Sequence, residues 1–119
     1  MPMSYLVRMP PNKNELLRGT LDMLVLKTLA AGGPMHGYGI AQHLQRVSDE
    51  VLRIEEGSLY PALQRMRQRG LIKPEWRETP NGQRARYYTI SAAGRKQLGE
   101  SASTFGEMVA AIARVMGTA

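Results

Sequence analysis

A mainly α-helical fold with one small β-hairpin is predicted for this 119-residue chain. Three observations carry the expectation. Apolar residues recur at helical spacing in four separate segments. A single Asn-Gly turn lies between two extended runs. Glycine and proline punctuate the joins between segments.

The elements follow in order. Residues 1–13, with Pro2, Pro10 and Pro11, read as a flexible arm. From about Asn14, the spacing of Leu17, Leu21, Leu24, Val25 and Leu29 marks one face of a helix. Asn12 or Asn14 can cap it, and Gly32-Gly33-Pro34 stops it. A shorter helix spans about Gly37 to Val47, with Ile40, Leu44 and Val47 on one side. Residues 51–54 alternate well enough for a brief strand. Ser58 is a good N-cap for a third helix, which places Pro61 in its first turn, and Gly70 is a suitable C′ residue for its end. Leu71 to Glu78 and Arg84 to Ile90 are strand-like runs around Thr79-Pro80-Asn81-Gly82-Gln83, with Asn81-Gly82 as the hairpin signal. Ser91 then caps a last helix, about Ala92 to Met116. Helix, helix, short strand, helix, hairpin, helix is the order of a winged helix-turn-helix domain, here 14–90, followed by a C-terminal helical segment, 91–119.

Composition limits the function. An apolar fraction of 43% suits a globular domain, and no apolar run approaches a membrane span of about 18 residues. The N-terminus lacks the pattern of a secretory signal, and there is no cysteine for a disulfide or zinc finger, so a soluble cytoplasmic protein without membrane association is expected. The net charge is +6, and residues 64–86 alone hold an excess of five positive charges, while 1–63 balance to zero. Such a concentration attracts a polyanion; an idle solvated face is the alternative.

The third helix weighs toward the polyanion. Leu59, Ala62, Leu63, Met66 and Gly70 share one face, and Tyr60, Pro61, Gln64, Arg65 and Gln68 lie opposite, with Arg67 and Arg69 on the flanks. A helix fits the DNA major groove, where Arg reads guanine and Gln reads adenine. Gln64 and Arg65 are therefore expected nearest the bases, with Ser58, Tyr60, Arg67 and Arg69 nearer the backbone. Asn81, Gly82, Gln83, Arg84 and Arg86 at the hairpin suit phosphate or minor-groove contact. Trp76 with Tyr87 or Tyr88 fits either a base-stacking platform or, more in keeping with paired strands, the core; Met23, Met35 and Met66 read as packing.

In the last helix, Leu98, Ala102, Phe105, Val109, Ile112 and Met116 step by four and three, a heptad-like seam. It can pack on its own domain, but its length favours a second copy of the chain. The two histidines, His36 and His43, have no cysteine and no acid at ligand spacing, so neither a cofactor nor catalysis is expected. His36 is read as structural, or as a donor to a helix end, and His43 as lying on the exposed or edge side of the second helix. A winged helix that binds protein instead of DNA is opposed by the charge concentration.

The strings LLRGTLDMLVLKTLAAGGPMHGYGIAQHL at 16–44, EEGSLYPALQRMRQRGLI at 55–72 and RARYYTISAAGRKQL at 84–98 resemble the PadR family. The resemblance implies a transcriptional regulator that binds double-stranded operator DNA as a two-fold homodimer, in many members released by a small molecule such as a phenolic acid or drug. It also implies that Tyr38 meets a phosphate from the start of the second helix, that Ser58, Tyr60 and Pro61 open the recognition helix, and that residues 81–88 form the wing. The first and last helices, with Leu17 and Leu21, would join the homodimer contact.

Overall fold

The computed structural model describes residues 20–117. They form α1 (Leu21–Gly32), β1 (Met35–His36), α2 (Gly37–Val47), α3 (Glu56–Gln68), β2 (Ile72–Glu78), β3 (Arg84–Ile90) and α4 (Ala92–Met116). The anticipated start near Asn14, its caps and Leu17 lie outside the described residues. The sheet is antiparallel throughout, in the order β1-β3-β2. His36 faces Tyr87 across one ladder, and Trp76 faces Arg86 across the other.

The core is one cluster drawn from every element but β1 and α4, which pack Met35 and Leu98 against it. Leu21, Val25, Leu26 and Leu29 of α1 meet Ile40 and Leu44 of α2 and Leu59, Ala62, Leu63 and Met66 of α3. Leu71, Ile72 and Tyr88 close it from the hairpin. The apolar face read for α3 is buried as expected, apart from Gly70. That glycine ends the helix with φ 74°: its amide reaches the Arg67 carbonyl and the Leu71 amide reaches that of Met66. This is a Schellman close, and it turns the chain straight into β2.

Five local expectations need correction. Residues 51–54 are not a strand: Leu52 and Ile54 are half-buried, but the edge of β3 is taken by Met35–His36 and the segment pairs with no strand. Instead the amides of Val51 and Leu52 bond to Ser48. Ser58 is not the cap of α3, because Glu55 is the last extended residue and Ser58 is already helical. Pro61 consequently lies past the first turn, where it removes the hydrogen bond that would reach the Gly57 carbonyl; Gly57 is exposed, which leaves that carbonyl open to water. Val47 and Trp76 are exposed, not core. Trp76 is too far along the hairpin to reach the layer that Tyr88 fills.

The C-terminal helix is anchored only by its first half. Ser91 caps it by accepting from the Gly94 amide at 3.0 Å, while its own hydroxyl donates to the Gly70 carbonyl at 2.6 Å. Leu98 packs against the core, and α4 runs along α1. Beyond that, Phe105, Met108, Val109, Ile112, Val115 and Met116 are all exposed. Leu21 and Leu98 therefore serve their own domain, and the part of the seam left open begins at Ala102.

Candidate nucleic-acid interface

His36 sets the geometry at the start of α2. Its Nδ1 accepts the Gly39 amide at 2.9 Å, which makes the imidazole an N-cap acceptor and not a donor. The ring also meets Tyr87 edge-on at 5.1 Å between centroids and stacks with Tyr38 at 6.4 Å. One histidine thus ties the first turn of α2 to β3. Gly37 lies buried beneath Tyr60 of α3: a Cβ there would stand 2.9 Å from the ring and 3.1 Å from the hydroxyl oxygen. That closeness seats the Tyr60 hydroxyl beside the start of α2.

The Tyr38 side chain is exposed, with its hydroxyl accepting from the Gln42 amide at 3.0 Å. Burial, and then Glu56 and Tyr88, raise the Tyr60 hydroxyl above its ordinary value of 10.0, so it stays a neutral donor at physiological pH. The hairpin leans over this surface. Its turn is held by Gly82 to the Thr79 carbonyl at 2.9 Å, by Gln83 to the Thr79 hydroxyl at 3.2 Å, and by a contact between the Thr79 hydroxyl and the Asn81 amide oxygen. Gly82 takes φ 83° while Asn81 does not go positive, and the turn spans Thr79–Gln83, as read from the sequence.

Between these elements lies an open groove of about 810 Å³. Tyr38 and Gln42 line it from α2, Tyr60 from α3, and Asn81, Gln83 and Arg86 from the hairpin. Its rim thus gathers phenolic hydroxyls, carboxamides and a guanidinium. All of these donate hydrogen bonds, the requirement for holding a phosphate backbone.

The expected basic ridge is divided. Arg67 shares the Tyr60 flank of α3, its Nε donating to Gln64 at 3.1 Å. Arg65 turns to the opposite flank, ion-paired with Asp22 of α1 at 3.5 Å, and Arg69 on that same flank donates to Gln97 of α4 at 3.4 Å. A period of about 100° per residue separates them: Arg65 and Arg69 fall one turn apart, on the side away from the hairpin. Gln64, Gln68, Ser58 and Pro61 are exposed between and beside these flanks. Sequence reasoning missed Gln42, and it missed β1; the signal for both was the histidine-glycine pair that fixes the start of α2.

Arg84 and Arg86 lie over the Trp76 ring, 5.3 and 5.9 Å from its centroid, and Arg86 is also 5.9 Å from that of Tyr88. Arg77 is held by Glu75 at 2.7 Å. His43 is half-buried beside Arg46 at 3.3 Å. Among the described residues no three His, Cys, Asp or Glu side chains gather as a metal site, and no helix is long and apolar enough to cross a membrane.

A helix with a polar outer edge, a second helix whose first turn abuts it, and a basic hairpin leaning over both define a winged helix-turn-helix DNA-binding protein. The model of the transcriptional regulator PadR-like family matches residues 25–100, and the chain belongs to that family. It is accordingly a DNA-binding transcriptional regulator and not an enzyme. The structure is similar to a transcriptional regulator from Clostridium thermocellum (TM-score 0.76, 28% identity, covering 84% of this chain and 96% of that one). It is similar also to a PadR family regulator from Eggerthella lenta (TM-score 0.73, 29% identity, 98% and 94% covered). An uncharacterized protein of Lysinibacillus sphaericus is 26% identical over 96 residues, 81% of this chain and 87% of that protein. A transposon-encoded protein of Streptomyces fradiae is 36% identical over 87 residues, 73% of this chain but only 23% of its own length.

Proposed function

We propose that this protein is a cytoplasmic repressor that binds a pseudo-palindromic operator as a homodimer and is released by a small apolar or aromatic effector. The groove shared by α2, α3 and the hairpin carries the reading, because three separate elements converge there with hydrogen-bond donors. In this reading Tyr38, Tyr60, Asn81, Gly82, Arg84 and Arg86 hold the backbone, and Gln64, Gln68 and Arg67 present the helix edge to the bases. Ser58, Pro61 and Arg69 lie at the margin. Arg65 joins when a phosphate or base displaces Asp22; the pair is well exposed, and such pairs contribute only about 0–1 kcal/mol.

The open stripe on α4 supports the homodimer. Ala102, Phe105, Val109, Ile112 and Met116 of two copies would bury one another, setting two recognition helices about one DNA turn, roughly 34 Å, apart. A cleft of about 480 Å³ between α1 and α4, with Met23, Leu26, Phe105 and Met108 on its walls beside Asp22, Arg69 and Glu100, offers an effector a partly apolar seat. Repression by steric occlusion follows without any further domain.

The test is to select bound fragments from the source genome and titrate the recovered duplex against salt. The reading predicts a symmetric repeat in the selected sequences and an affinity that falls steeply with salt through counterion release. Binding indifferent to both sequence and salt would sink it.

A further inference from the structure

We propose that Trp76 is a positioning residue for the DNA-facing arginines of the hairpin: its indole holds Arg84 and Arg86 in place while contributing no charge of its own. The inference rests on the DNA-binding reading of the groove and adds to it a residue that lines neither the core nor the groove.

Trp76 is anomalous as a structural residue. It is 57% exposed on β2, beyond the layer where Tyr88 is buried. A tryptophan that fills no core leaves its cost in exposed apolar surface unexplained. Its neighbours supply the explanation. Arg86 faces it directly across the β2–β3 ladder, and Arg84, two residues along, falls on the same face of β3. Both guanidinium carbons lie within 6 Å of the ring centroid, inside cation–π range. Tyr88 stands on the far side of Arg86, at 5.9 Å. Arg86 Nε is buried without a hydrogen-bond partner, so aromatic faces and not hydrogen bonds hold that end of the side chain. The remaining charge on this face is Glu78, opposite Arg84 in the ladder; among the described residues no hydrogen bond or ion pair joins the two, and the indole is the side-chain contact seen for Arg84.

The consequence is entropic. A free arginine must give up rotamer freedom when it meets a phosphate, and one already stacked has given up part of it. Arg86 reaches into the groove, and Arg84 is exposed at its hairpin edge. Holding both raises DNA affinity without changing the number of phosphates neutralised. That separation of affinity from charge is the measurable signature.

The experiment uses the full chain with Trp76→Ala, Trp76→Tyr and Arg84→Ala, titrated into a mixed-sequence duplex of roughly three turns at several salt concentrations. Trp76→Ala is expected to weaken binding roughly three- to tenfold with the salt slope unchanged. Trp76→Tyr should recover most of the loss, because a smaller aromatic face still stacks. Arg84→Ala should lower the slope by about one unit. In the protein without DNA, the Nε–H resonances of Arg84 and Arg86 should lose their ring-current shift in Trp76→Ala and keep it in Trp76→Tyr. Wild-type affinity in Trp76→Ala, a slope that drops as in Arg84→Ala, or unshifted arginine resonances in the wild type would each overturn the inference alone. A wild-type chain that binds no duplex at low salt would overturn the DNA reading of the groove, and this inference with it.

Discussion

An ideal Cβ at Gly94 would stand 2.2 Å from the Leu71 carbonyl oxygen and 2.7 Å from Cγ1 of Ile90. The Leu71 carbonyl cannot retreat, because Leu71 is buried and that carbonyl accepts the Ser91 amide at 3.0 Å. The glycine is what lets α4 start directly above the hairpin. Gly94→Ala should cost about 1–3 kcal/mol, the range for overpacking, read as a lower denaturant midpoint with an unchanged slope. A variant as stable as wild type would mean that α4 tilts away at no cost. Tyr60 gives a second prediction at this scale. Its hydroxyl titrates above 10.0 because burial, Glu56 and Tyr88 all disfavour the phenolate. The folded chain holds that proton more tightly than the unfolded one, so this stabilisation is intact below about pH 10 and is lost as pH rises through the raised value. Against Tyr60→Phe, wild-type stability should therefore run parallel from about pH 7 to 9 and fall away only above about pH 10. A divergence near neutrality would refute the assignment.

Among the elements, those defined by periodicity and punctuation were readable from the chain. The bounds of α2, β3 and α4 match the expected spans, because Ser91 caps, Gly70 stops and Gly82 turns wherever they stand. The errors fall where partner choice decides. Residues 51–54 have the alternation of a strand, but a strand needs a free edge, and Met35–His36 reach it first. Trp76 resembles a core aromatic in composition, yet its distance along the hairpin leaves it outside. The arginines of α3 show the same limit: a wheel places Arg65 on the outer face, while Asp22 on another element draws it aside. Position on one helix was legible; a side chain's choice among neighbours was not. The hairpin itself yields a prediction: Arg86→Ala should weaken all duplex sequences alike and lower the salt slope by about one unit. Arg67→Ala should instead relax base preference, costing about 1–3 kcal/mol on the preferred sequence. Equal effects of the two on a random duplex would refute this division of labour.

At the scale of the molecule, the described residues extend over 50 × 32 × 29 Å, and among them nothing covers the outer half of α4. Six large apolar side chains on one exposed helix are a liability in a monomer and an asset in a pair. Val109→Asp or Ile112→Asp should shift sedimentation to a single chain and weaken operator binding in parallel, since two half-sites bind better than one. Paired chains persisting in both variants would place the contact elsewhere, and the apolar stripe would then need another role.

The most direct measurement follows backbone amide resonances of the full chain as a selected duplex is added. The changes should concentrate at Tyr38, Gln42, Tyr60, Gln64 and the span 79–86, the residues that border or adjoin the groove. Changes confined to α4, or to the side of the sheet facing away from α3, would contradict the account.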